Sequence, residues 1–210
     1  MIISLSDQQA LPMAAAAVAR GECVVLPTDT VYGIGADATS PTAVQRLLDA
    51  KRRGRDMPPP VLLYGTDQLD AVAKDIPPAA RVLAAAFWPG ALTLIFKALL
   101  PLDLGDRPET IAVRVPDHDG ARALLRATGL LAVSSANVSG EPPATTAVAA
   151  AAMLGDTVAV YLDAGATPGE TPSTIVDYSG PGPGRVVRQG ALSLDALRSV
   201  DPGIEGARGA

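Results

Sequence analysis

A chain of 210 residues can bury one large core or two small ones. With 48% hydrophobic but only 3% aromatic residues, that core must be built from Ala, Val, Leu and Ile, which suits aliphatic strands covered by alanine-rich helices. A net charge of −5 argues against a protein that coats nucleic acid, and a single cysteine leaves no disulfide framework or thiolate metal site. There is neither a basic, apolar leader nor an apolar run of about eighteen residues, so the expectation is a reduced cytoplasmic setting with no membrane span.

Residues 22–26 read as a short buried strand that runs into a polar, glycine-bearing turn over 27–35. Residues 41–50 follow as a helix, with Ser40 as N-cap, Pro41 in the first turn, and Val44, Leu47 and Leu48 as its apolar stripe. Residues 51–60, with Gly54 and three prolines, break regularity before a strand at 61–64. Helical patterns cover 67–74 and 78–87, the second stopped by Trp88-Pro89-Gly90, and a strand covers 91–96. A mobile loop at 101–108 leads to a strand at 110–115, and Asp117 is placed to cap a helix reaching about residue 128. The pattern continues with a strand at 130–133, a helix at 145–154, strands at 158–162, 173–178 and 185–188, and a helix at 194–199. Strands and helices alternate without strict βαβ spacing. The expectation is an α/β chain with α+β character: one domain over 1–200, a twisted open mixed sheet with flanking helices, and a flexible tail at 201–210.

Much familiar chemistry is missing. His118 and Cys23 are the only residues of their kinds, so no zinc site can be assembled. His118 reads as a turn residue and Cys23 as a small buried hydrophobe. No phosphate-binding P-loop occurs, and Gly33-Ile34-Gly35 lacks the third glycine of a dinucleotide site. What remains are cations, hydroxyls and amides in irregular segments. If the chain is extended beyond Ala50, Lys51, Arg53 and Arg55 share one side and suit a polyphosphate; equally, they are a solvated helix end that offsets the dipole. Ser135-x-Asn137, beyond a buried strand, can donate to phosphate or read a base edge, or can simply cap the strand in an Asx turn. Thr28-Asp29-Thr30 with Tyr32, and Ser173-Thr174, are further polar groups at strand ends.

In combination these segments resemble the YrdC family over about residues 20–190. The resemblance is carried, in order, by Leu26-Pro27-Thr28-Asp29-Thr30-Val31-Tyr32-Gly33-Ile34-Gly35, Lys51-x-Arg53 and Trp88-Pro89-Gly90-x-Leu92-Thr93. It continues through Ala112-Val113-Arg114-Val115-Pro116, Ser134-Ser135-Ala136-Asn137-Val138-Ser139-Gly140, Ser173-Thr174-Ile175-Val176-Asp177 and Arg188-Gln189-Gly190. It implies an open fold with a large concave, electropositive cavity and L-threonylcarbamoyladenylate synthase activity. L-threonine, CO2 or bicarbonate, and ATP with Mg²⁺ would be condensed to threonylcarbamoyl-AMP and pyrophosphate, for the N6-threonylcarbamoyladenosine modification of tRNA. Downstream tRNA threonylcarbamoyl-transferase proteins would accept the product, and no dedicated protein metal site is implied. By residue, the resemblance places Thr30, Arg114, Ser135 and Ser173 on the threonine side. It places Arg53, Thr110, Asn137, Thr145 and Arg188 on the nucleotide side, with Lys51 and Arg53 near the reacting groups. The position of Met57 also belongs to the nucleotide side, but many members carry Asn there, and many carry His near Leu62. The chain looks like the short, single-domain form.

The implied chemistry needs no protein nucleophile. The amine of threonine captures CO2, the carbamate oxygen attacks the α-phosphate, and pyrophosphate leaves, so the work is orientation and electrostatic stabilisation. Two other readings stand beside it. One is a double-stranded RNA-binding or ribosome-maturation factor using the basic segment, against which the acidic balance and sparse aromatics argue. The other is a related carbamoyl-adenylate enzyme acting on a different amine or on carbamoyl phosphate.

Overall fold

The computed structural model describes residues 1–207. Its strands are β1 (Ile2–Ser4), β2 (Val24–Leu26), β3 (Gly33–Asp37), β4 (Val61–Leu62), β5 (Ala73–Lys74), β6 (Leu92–Ala98), β7 (Thr110–Arg114), β8 (Leu131–Ser135), β9 (Val160–Asp163), β10 (Thr174–Asp177) and β11 (Arg185–Arg188). The helices are α1 (Ala10–Ala19), α2 (Pro41–Ala50), α3 (Leu69–Val72), α4 (Pro78–Phe87), α5 (Asp119–Thr128), α6 (Ala147–Leu154) and α7 (Leu194–Arg198). All the strands join one mixed sheet in the order β1-β9-β2-β3-β8-β4-β7-β6-β10-β11, with β5 paired to β6.

The two faces of this sheet are covered unequally. Helices α2, α3, α4 and α6 pack on one face, against Val25, Ile34, Leu94, Phe96, Val113 and Val176. On the other face, α1 and α5 cover β1, β2, β4, β8 and β9, through Ala14, Val18, Leu124 and Leu125 against Ile3, Val24, Leu62, Val133 and Leu162. Beyond β4 that second face carries no helix from the cluster. Successive strand residues point to opposite faces. Leu92, Leu94, Ile111, Val113 and Val176 are therefore core, while Thr93, Ile95, Ala112, Arg114 and Ile175 look out into a hollow.

Several elements differ from the sequence-based expectation. The segment 27–35 is not a single turn: Gly33–Asp37 forms β3, antiparallel to both β2 and β8. The helical pattern at 67–74 shrinks to one 3-10 turn and α3, because Ala73–Lys74 pairs with β6. His118, not Asp117, caps α5, its Nδ1 accepting from the Ala121 N–H at 3.3 Å, while the Asp117 N–H donates to Asp29. The alanine-rich α1, with the adjoining β1, gave no amphipathic signal. Loop 101–108 is tied down rather than free: Leu104 is buried, and the Asp106 N–H donates to the Arg55 carbonyl. Residues 201–207 are not a loose tail, since Ile204 is buried and Glu205 bridges to Arg185; residues 208–210 lie outside the described residues. Cys23 is buried, and burial pushes its thiol up to about 11. Among the described residues no helix is long and apolar enough to cross a membrane.

The end of α2 scatters the basic run. Arg52 takes a left-handed backbone (φ 52°), the Arg52 N–H donates to Asp49 O, and the Arg53 N–H donates to Leu48 O. This is a Schellman closure without the usual glycine. The chain is therefore not extended here, and Lys51, Arg53 and Arg55 diverge instead of forming a row. Arg55 pairs with Asp103 and Asp106, Arg53 enters the hollow, and Lys51 turns inward. The Lys51 ammonium donates to the carbonyls of Ser135 and Asn137 and, at 3.4 Å, to the Asn137 side chain.

Burial, with Arg53 nearby, pushes Lys51 from 10.5 down to about 8. Between those values the unfolded chain holds a proton that the folded chain has shed, so this residue's contribution to stability rises with pH across that window, by at most about 3 kcal/mol. The buried Cys23 thiol and Tyr161 hydroxyl pull the other way as pH rises, so the readout is a difference: in urea denaturation, the stability of the wild type relative to Lys51→Met should increase from pH 8 to 10.5. Separately, a Cβ on Gly190 would fall on the Pro172 and Ser173 carbonyl groups, which are backbone and cannot yield. Gly190→Ala should cost about 1–3 kcal/mol in the same measurement.

Candidate active site

The uncovered half of the sheet is the floor of a cavity of about 660 Å³. Its wall is completed by Thr30 to Gly33 before and within β3, by Arg53 and residues 56–60 after α2, and by Leu104 and Arg107 from the long loop. Eight of the positions expected at a site line it: Thr30, Arg53, Met57, Thr110, Arg114, Ser135, Ser173 and Arg188. They come from six separate stretches of chain. Three do not line it. Lys51 lies behind the wall, Asn137 donates its amide to the Val138 and Glu141 carbonyls, and the Thr145 carbonyl accepts from the Thr167 N–H. Lys51 and Asn137 instead form one buried network that shapes the 135–141 loop.

Each cavity arginine is held differently. Arg114 is the last residue of β7 and is 6% exposed. Its Nε donates to Gly90 O at 2.9 Å, one terminal nitrogen to Thr30 Oγ1 at 3.0 Å, and the other to Asp29 Oδ1 at 2.6 Å. Thr30 is itself placed by Thr28, whose hydroxyl lies 3.1 Å from the Thr30 hydroxyl and accepts the Thr30 N–H. Arg188 donates to Ser173 O at 2.8 Å and Ser173 Oγ at 3.3 Å. That turn is fixed by Thr174, whose buried hydroxyl donates to Leu192 O and accepts from Gly190 and Leu192 N–H. Arg53 donates to Ser134 Oγ at 3.0 Å, and its buried Nε has no partner in the protein.

The electrostatics separate two ends. Burial lowers the pKa of the Arg53, Arg114 and Arg188 guanidinium groups. For Arg114 the Asp29 carboxylate opposes that shift, for Arg53 only the more distant Asp56 does, and for Arg188 the neighbouring Arg114 and Arg53 add to it. Among the described residues, Arg114 is the one cavity arginine in an ion pair. Arg53 and Arg188 therefore present uncompensated charge and open donors, the requirement for a polyanion. Arg114 presents donors with its charge already offset.

Residues that sequence reasoning did not single out individually also belong here. Thr93 shares a 2.8 Å hydrogen bond with Ser173 and lines the floor, as do Ile95 and Asp177. Their signal is alternation: Thr93-x-Ile95 and Ser173-x-Ile175-x-Asp177 put one set on the open face. Ser134 was quoted only as part of its motif, yet it is the partner of Arg53.

Comparison with known proteins agrees with this geometry. The family model of the Sua5, YciO and YrdC proteins, described as "Telomere recombination", matches residues 16–190. A relative from Mycobacterium tuberculosis is 49% identical over 189 residues, 89% of this chain and 87% of its own. Relatives named threonylcarbamoyl-AMP synthase from Bacillus subtilis and Pyrococcus abyssi are 37% and 34% identical, over 94% and 92% of this chain; the chain spans 58% of each. The crystal structure of P. abyssi Sua5 complexed with L-threonine superposes with a TM-score of 0.90 at 33% identity, covering 98% of this chain and 62% of that one. Escherichia coli YciO, at 22% identity and a TM-score of 0.81, shares the fold. With a family model matched over most of its length and the same fold in a solved relative, this chain belongs to the Sua5/YciO/YrdC family.

Proposed function

We propose that this chain is a threonylcarbamoyl-AMP synthase. It condenses L-threonine, CO2 or bicarbonate, and ATP into threonylcarbamoyl-AMP and pyrophosphate, for the N6-threonylcarbamoyladenosine modification of tRNA. The observation that carries the reading is the division of one cavity into a charge-compensated end at Arg114 and an uncompensated end at Arg53 and Arg188. An amino acid is a zwitterion and suits the first; a triphosphate is a polyanion and suits the second.

In this assignment Arg114 and Thr30 receive the threonine carboxylate. Ser173, which touches Arg188, stands where the two ends meet. Arg53, Arg188 and Thr110 hold the phosphates, and the unpartnered Arg53 Nε has an oxygen to receive it. The neutral amine adds to CO2 and sheds a proton, giving a carbamate. A carbamate oxygen then bonds to the α-phosphorus as the bond to the pyrophosphate leaving group breaks. Two anions must meet in this step. Donors fixed in place before the reaction, in a partly dehydrated hollow, offset their repulsion without reorganising. Mg²⁺ enters on the phosphates as part of the nucleotide substrate. Lys51 and Asn137 act at one remove, by shaping the loop that carries Ser135, while Thr145 is tied through its carbonyl to Thr167. The product passes to the proteins that transfer its threonylcarbamoyl group to tRNA.

The test is pyrophosphate release that requires threonine, bicarbonate and ATP together, with mass detection of the adenylate. Arg53→Ala and Arg188→Ala should each lower turnover roughly 10²-fold, the scale of losing one preorganised donor. Wild-type turnover in both, or equal turnover with unrelated amino acids or carbamoyl phosphate, would overturn the assignment.

A further inference from the structure

Arg114 is clamped more completely than its neighbours. Its three bonds to Gly90, Thr30 and Asp29 use three of the five guanidinium N–H groups and leave one on each terminal nitrogen for a ligand. Asp29 is itself locked, because the same Oδ1 accepts the Asp117 N–H at 2.9 Å. Both side chains are largely buried, at 8% and 15% exposure, so solvent screens the pair little. The other cavity arginines, Arg53, Arg107 and Arg188, lack such a partner among the described residues. A cavity that binds triphosphate at one end faces a discrimination problem at the other. A buried arginine with free N–H groups attracts phosphate as readily as carboxylate.

We propose that Asp29 is a specificity-determining residue. By neutralising Arg114 in place, it lets the amino-acid end bind a zwitterion through hydrogen bonds while excluding phosphate and pyrophosphate. The exclusion works as negative selection, because a phosphate seated on Arg114 would lie beside the Asp29 carboxylate. A carboxylate whose own molecule carries an ammonium group meets less net repulsion. The inference rests on the reading that the Arg114 end takes threonine.

Asp29→Asn tests it, since the amide oxygen still accepts from Arg114 and from the Asp117 N–H while the charge is lost. Adenylate formation is followed by mass detection with inorganic phosphate titrated at fixed ATP and varied threonine. In the wild type, millimolar phosphate should leave the threonine KM within about twofold. In Asp29→Asn phosphate should become competitive with threonine and raise the apparent KM about tenfold, the effect of one restored charge contact. Direct calorimetric titration with inorganic phosphate, which needs no turnover, should show a new phosphate site in Asp29→Asn and its loss in Asp29→Asn/Arg114→Gln, a neutral pair of similar shape. Phosphate competition with threonine in the wild type, or its absence in a folded Asp29→Asn, would overturn the inference. If Asp29→Asn does not fold, the wild-type titration still decides. A wild type that forms no adenylate from threonine would instead sink the functional reading on which the inference rests.

Discussion

Half of one sheet face is left without helices, and most of the site depends on that constraint. A strand residue facing a helix must be apolar, but one facing a solvated hollow need not be. Strands β6, β7 and β10 therefore present leucine, isoleucine and valine to the packed face and Thr93, Thr110, Arg114 and Asp177 to the open one. The floor inherits the rigidity of a core that is close-packed immediately beneath it. A hydroxyl or guanidinium based on such a strand is held more firmly than one on a loop, and precise placement is what a reaction without a protein nucleophile demands.

Gathering Arg53, Arg114 and Arg188 into one hollow is costly, and the chain offsets the cost locally. Each is taken partly out of water, and Arg188 also feels the other two. Arg114 is compensated by a carboxylate. Arg188 is supported by a carbonyl and a hydroxyl, and Arg53 by a single hydroxyl. The least satisfied group is Arg53, whose Nε is buried without a partner. A buried donor left unpaired costs about 1–3 kcal/mol, and a ligand oxygen that reached it would remove that penalty. The gradient from Arg114 to Arg53 thus runs from protein-satisfied to ligand-satisfied.

Strand and helix order was legible in the sequence wherever periodicity and caps agreed. Ser40 and Pro41 marked the start of α2, and the aliphatic runs marked β7, β8 and β11. What escaped has identifiable causes. β3 is rich in glycine, so its extended backbone looks like a turn until β2 and β8 pair with it from both sides. α1 is nearly all alanine and aliphatic, so it has no polar stripe to reveal its period. The direction of the basic side chains depended on a left-handed residue, and Arg52 gives no glycine to announce it. Motif order therefore located the site's segments, while only coordinates could separate Arg53, which faces the cavity, from Lys51, which braces its wall.

Leu62, where the family resemblance implies histidine, bears on the same electrostatics. Leu62 is both a member of the apolar cluster under α5 and a cavity-lining residue. In the parallel pairing of β4 with β7 it stands opposite Arg114, on the same face. An aliphatic neighbour there keeps water from one flank of the guanidinium. Less water lowers the local dielectric, which strengthens both the Asp29 pair and any hydrogen bond that Arg114 makes to a ligand. An imidazole in that place would bring its own donor and acceptor to the cavity. With leucine, the hydrogen-bonding groups that line this end are those of Arg114, Thr30 and Ser173, so the strict geometry in which Asp29 holds Arg114 matters more.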